Sequence, residues 1–158
     1  MLNAYGWCVV RASREPYRDV TPDGDAIDKL DEQLDSEDAK LSNDLAEWLN
    51  ESAPGLQWTL NHRAWSDARV VLYSVSRNHR ASHLWDFLDW VVANAPGSYG
   101  LTFVHDDEDV PGNRTYGRGD ADHSNEFRVF RIANGKIEEF DDPFLSPLVP
   151  TINPTEYS

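Results

Sequence analysis

The chain has 158 residues, a formal net charge of −14 and a hydrophobic content of 40%. That apolar share, with six residues each of Trp, Tyr and Phe, excludes the disordered class and lets a core form without a metal or disulfide staple. The acidity disfavours direct binding to nucleic acid, and one cysteine, Cys8, excludes an internal disulfide and points to a reducing compartment.

Residues 4–13, AYGWCVVRAS, are apolar and rich in strand formers, so they predict a first strand with Cys8 as a buried small hydrophobe. Prolines 16 and 22 and the TPDGD stretch then supply a loop. Ile27, Leu30, Leu34, Leu41, Leu45, Trp48 and Leu49 recur mostly at three- or four-residue spacing, which predicts one long amphipathic helix or two shorter ones broken near Ser36 or Ser42. Pro54 and Gly55 end it. Residues 56–63 and 69–77 read as a hairpin around a turn that holds Ser66 and Asp67. Ser82 is placed to cap a second helix, whose face carries Leu84, Phe87, Leu88, Val91 and Val92 and which Pro96-Gly97 closes.

Tyr99 to Val104 predicts the next strand, and an irregular polar loop of about twenty residues follows, a length that marks loops as functional or mobile. EFRVFRI is a further strand, and Asn134-Gly135 after it is a hairpin signal that makes KIEEF a short edge strand. Residues 143–158 carry four prolines and are expected to run extended over the surface. The fold class is therefore α+β in one domain spanning 1–158: a mostly antiparallel sheet of about five strands with two main helices on one face. Its order is β-α-β-β-α-β-β, and its first six elements match a split βαβ pattern.

Charge is unevenly spread. Residues 19–52 hold twelve Asp or Glu against Lys29 and Lys40, while Arg63, Arg69, Arg77 and Arg80 outweigh Asp67 in 57–80. An acidic face attracts basic proteins, although the same charges also serve simply to solvate a helix. The DDED string Asp106 to Asp109 suggests oxygen ligands for a metal, but the alternating acids, Gly and late Glu of a calcium loop are missing. Of the five histidines only His79 and His83 stand four apart, and Arg80 occupies the place where a zinc protease needs its Glu base. No Gly-x-Ser-x-Gly turn or phosphate-binding glycine loop is present, so no catalytic or cofactor-binding residue is assigned. No segment reaches roughly 18 uninterrupted apolar residues, and no leader pattern opens the chain, which makes the expected location cytoplasmic. Trp7, Trp48, Phe87, Phe103, Phe127 and Phe140 lie within apolar patterns and are expected in the core. Trp65 and Tyr116 lack such neighbours and are expected as exposed anchors.

Five short strings occur in a fixed order: Gly6-Trp7 in the opening strand, APGSYG at Ala95 to Gly100, DDED at Asp106 to Asp109, NEFRV at Asn125 to Val129, and DPFLSPLVPTI at Asp142 to Ile152. Together they span most of the chain outside residues 19–52, and the chain resembles the immunity protein 7 family of bacterial polymorphic-toxin systems. The resemblance implies a small intracellular antidote that binds and blocks a cognate toxin domain, often a nuclease. It implies no chemistry of its own. Asp28, Asp31, Glu32, Asp35 and Asp38 of the first helix, with Asp106, Asp107, Glu108, Asp109, Trp65 and Tyr116, are the expected partner contacts of a protein that is monomeric or weakly dimeric when free. Two alternatives stand beside this reading: a metal-dependent hydrolase built on Asp106 to Asp109 with His123, and an acidic nucleic-acid mimic that binds many basic proteins.

Overall fold

A computed structural model describes residues 1–20, 23–63, 68–78 and 80–154. Its strands are β1 (Leu2–Val9), β2 (Gln57–Arg63), β3 (Ala68–Arg77), β4 (Tyr99–Asp106), β5 (Phe127–Ala133) and β6 (Lys136–Asp141). Helix α1 (Gly24–Ser52) lies between β1 and β2, α2 (Ser82–Asn94) between β3 and β4, and a short helical segment, α3 (Leu148–Thr151), follows β6. The six strands form one antiparallel sheet in the order β2-β3-β1-β4-β5-β6. Since β3 is inserted between β1 and β2, and β1 between β3 and β4, both helical crossovers are split βαβ units, as the element order predicts.

Each helix follows from its spacing. In α1 the apolar positions form one stripe, of which Leu34, Leu45 and Leu49 are buried, and the 29-residue helix runs unbroken through Ser36 and Ser42 for roughly 43 Å. Ser42 is accommodated within it, its hydroxyl donating to the carbonyl of Asp38, one turn back, at 2.8 Å. Helix α2 buries Leu84, Phe87, Leu88 and Val91. Ser82 is not its cap: Ala81 holds the N-cap position, with no side-chain hydrogen bond.

Alternation assigns the sheet faces. Ala4 and Cys8 of β1, Val71, Tyr73 and Val75 of β3, and Phe130 and Ile132 of β5 join the two helices in the core. Burial pushes the Cys8 thiol up to about 12, so it stays an unreactive hydrophobe. Among the described residues both long helices pack away from the opposite face, which carries Tyr5, Trp7, Leu72, Phe103, Phe127 and Phe140. Phe87 and Trp48 are in or against the core as expected. Trp7, Phe103, Phe127 and Phe140 are not; each occupies the strand register opposite the helices, and they are partly or largely exposed.

Asn134 and Gly135 both adopt positive φ, 52° and 66°, and join β5 to β6 in the expected tight turn. Gly135→Val is expected to lower stability by about 1–3 kcal/mol, because a β-branched residue resists that φ, while leaving partner affinity unchanged per folded molecule. Urea denaturation checks this, and a parental midpoint would remove the constraint assigned to the turn. The segment after β6 is less free than its prolines suggest: Leu148 donates its N–H to the carbonyl of Asn125 at 2.9 Å, and the Asn125 side chain bonds both the N–H and the carbonyl of Val149.

Candidate functional site

Asp28, Asp31, Glu32 and Asp35 stand at i, i+3, i+4 and i+7 and form one solvent-facing stripe on the N-terminal half of α1. Asp31 accepts the Tyr17 hydroxyl, and Asp35 pairs with the largely buried Arg69 at 2.8 Å. That hydrogen bond and the Arg69 charge outweigh the small cost of burial and hold the Asp35 carboxyl below its ordinary range. Asp38 differs from its neighbours. It is 4% exposed, accepts the Ala12 N–H at 2.7 Å and holds Arg14 through both oxygens, at 3.1 and 2.5 Å. Placing it on the solvent side with the others is therefore corrected: Asp38 is a structural tie between α1 and the chain leaving β1.

The expected loop spans 107–126 and carries no helix or strand. It is pinned rather than loose. Tyr116 stacks on Trp85 at 4.0 Å between centroids, meets Phe130 edge-on, and donates its hydroxyl to Asp89 at 3.1 Å. The expectation of an exposed Tyr116 without apolar neighbours is thus corrected, since the chain fold brings Trp85 and Phe130 to it; burial first, then Asp89, raises its phenol. Arg114, within the loop, buries its side chain, in contact with Asp109 at 2.8 Å without hydrogen-bond alignment and bonded to Glu139 at 2.5 Å. Glu139 also takes the Arg118 N–H and the Arg128 Nε, the latter at 3.0 Å.

The DDED carboxylates go to separate partners. Asp106 accepts the Glu108 N–H at 3.0 Å in a tight turn, Asp107 pairs with the terminal ammonium of Met1, and Asp109 faces Arg114. Burial raises the Asp109 carboxyl despite that arginine. His123, the further residue of the hydrolase alternative, bonds Glu126 at 2.9 Å. Among the described residues no three His, Cys, Asp or Glu are grouped as metal ligands, and no helix is long and apolar enough to cross a membrane. Nor do the two acidic sets meet: Asp35 faces Arg69 beside the C-terminal end of β1, whereas Asp106 pairs with Leu2 at its start, roughly 24 Å along the strand. Trp65 and His79 lie outside the described residues.

Over residues 1–154 the sequence matches the protein family described as Immunity protein 7. The chain belongs to the immunity protein 7 family. No curated protein matches it, and no solved structure does.

The five strings that carry the resemblance are parts of this fold, and most of them position backbone. A Cβ on Gly6 would stand 2.4 Å from the Leu101 carbonyl oxygen and 2.7 Å from the Tyr73 ring, so Gly6 makes room for the Tyr73 hydroxyl to reach Thr102 at 2.6 Å. In APGSYG, Ala95 is buried, Ser98 Oγ accepts the Arg11 N–H at 3.0 Å, and Gly97 and Gly100 approach the backbone of Ala12 and Trp7. In DPFLSP the buried Asp142 accepts the N–H groups of Phe144 and Leu145, at 3.1 and 2.9 Å, and the Ser146 hydroxyl. That turn leaves Phe144 82% exposed. An ordered, exposed Phe is a contact candidate that the sequence reading passed over; its signal was a large apolar pair directly after an Asp-Pro turn.

Proposed function

We propose that this protein is the antidote to the toxin domain of a polymorphic-toxin system and acts by stoichiometric binding, with no reaction of its own. Membership of the immunity protein 7 family across residues 1–154 is the observation that carries this reading. A basic nuclease is the toxin class that the charge favours, because a groove that holds phosphates must be cationic and this chain carries −14. The contact surface begins with Asp28, Asp31, Glu32 and Asp35, whose exposed stripe offers carboxylates on a rigid helix. The Asp106 to Asp109 turn lies at the other end of the sheet, so a partner that contacts both must span the molecule.

The test uses the toxin domain encoded by the neighbouring gene, in a catalytically disabled form. Asp28→Asn, Asp31→Asn and Glu32→Gln are combined; Asp35→Asn is made separately because it also removes the ion pair with Arg69. The triple variant is expected to keep its melting temperature and to bind about tenfold more slowly, with a flatter dependence on salt. Unchanged association kinetics would move the contact surface away from α1. A neighbouring gene product that neither binds the protein nor harms cells lacking it would overturn the antidote reading itself.

A further inference from the structure

Among the described residues both long helices cover one side of the sheet, and the opposite side is lightly charged for a strongly acidic protein. Among its described strand residues Arg63, Arg131, Lys136 and Glu138 carry formal charge; Arg63 and Lys136 stand on the two edge strands, and Arg131 and Glu138 neutralise each other at 2.8 Å. The acidic stripe of α1 lies on the other side, where Asp35 meets Arg69. Down the middle of the open face the rings form two packed groups: Trp7 against Tyr99, and Tyr5 stacked on Phe103 at 5.7 Å and edge-on to Phe127. Leu72 is 50% exposed and Tyr5 43%. Aromatic side chains held this way present large apolar area at little further entropic cost, and contiguous apolar patches of this kind mark association surfaces.

We infer that this face binds a second copy of the chain, giving a symmetric dimer in which two sheets pack back to back and the two α1 helices point outward. Charge selects that occupant. A cationic toxin groove gains little from an aromatic surface whose surplus charge is also cationic, whereas two such surfaces meet through their aromatic centres with Arg63 and Lys136 at the sheet edges, and keep the acidic helices on the outside. Area agrees. Six strands of six to ten residues, about 4.8 Å apart with a rise of about 3.3 Å per residue, present roughly 700 Å², close to the ~800 Å² per partner of a stable interface. A two-fold interface uses the same patch on both copies, so no second complementary surface is required. The inference is independent of which toxin the protein binds and of the α1 contact surface.

Sedimentation equilibrium of the full chain tests it, and the expected mass is twice 18.0 kDa at micromolar concentration. Leu72→Glu and Tyr5→Glu, each at a position already half open to solvent, are expected to weaken self-association on the order of a hundredfold and return the 18.0 kDa species with an unchanged circular-dichroism spectrum. Having two variants guards against one that fails to fold. Asp28→Asn on α1 should leave the dimer intact, and added salt should not dissociate it. An 18.0 kDa parent across the concentration range overturns the inference, as does a dimer indifferent to both substitutions. A monomeric parent whose Leu72→Glu variant no longer binds the toxin domain would also overturn it and give the face to the toxin.

Discussion

Replacing Glu139 with alanine is expected to cost about 3 kcal/mol and to release the 107–126 loop from the sheet. Glu139 has a side-chain exposure of 3% and gathers Arg114, Arg128 and the Arg118 N–H; Arg114 is only 6% exposed and Arg128 10%. Without it both guanidinium groups lose a charged acceptor in a site that water scarcely reaches. Amide exchange across 107–126 should accelerate, and the urea midpoint should fall. Glu139→Gln keeps an acceptor oxygen and should lose less.

The pH dependence has a definite sign. Burial alone would raise the Glu139 carboxyl, but the bonds from Arg114, Arg118 and Arg128 prevail and hold it below its ordinary range. A folded-state value below the unfolded one contributes stability above the unfolded value, and that contribution is lost as pH falls through the folded value. The gap between parent and Glu139→Gln should therefore be full at neutral pH and close below about pH 4.5. Asp109, raised by burial, runs the other way, and because it shares Arg114 with Glu139 the comparison is made in an Asp109→Asn background, where that opposing contribution is absent. Parental stability and loop exchange in Glu139→Ala would remove the pinning role.

The element order, the hairpin at Asn134-Gly135 and the long α1 were legible because each rests on local signals: hydrophobic period, turn chemistry and breakers. Asp38 was legible too, but by another count. It stands eleven residues after Ile27 and seven before Leu45, spacings that return within about 20° of the same helix face, so the wheel turns it inward where the run of acids suggests solvent. The open aromatic face was not legible. Runs such as YGWCVV, RVVLYSV and FRVFRI are apolar on both parities, and alternation alone cannot say which parity the helices cover. Tyr116 failed for a related reason: its partners Trp85 and Phe130 are distant in sequence and come together only through the fold.

The candidate contacts divide along the same line. The strings that carry the resemblance hold Gly6, Gly97, Gly100, Ser98 and Asp142 against backbone, which is the work of a scaffold. The acidic stripe of α1 lies outside those strings, in a helix whose solvent side can change without disturbing its buried side.

Gly97→Ala gives the sharpest test of that division, and it is expected to cost more than about 4 kcal/mol, a large share of the ~5–15 kcal/mol that holds a domain folded. The added Cβ would stand 1.8 Å from the Ala12 carbonyl oxygen and 2.7 Å from its carbonyl carbon. Neither side has room to yield. Gly97 donates its N–H to the Arg11 carbonyl at 3.1 Å, Ser98 Oγ takes the Arg11 N–H at 3.0 Å, and Asp38 takes the Ala12 N–H at 2.7 Å. Moving the two segments apart therefore breaks the tie between β1, α1 and the turn that leads into β4. Gly24→Ala is the control: nothing lies within 4 Å of its Cβ, and alanine favours a helix, so stability should hold or rise. Circular dichroism and urea denaturation decide the matter, and a Gly97→Ala protein that melts with its parent would refute the close approach. Gly97→Ala should also abolish protection against the toxin, but through loss of folded protein, whereas the α1 triple variant should remain folded and lose association rate alone.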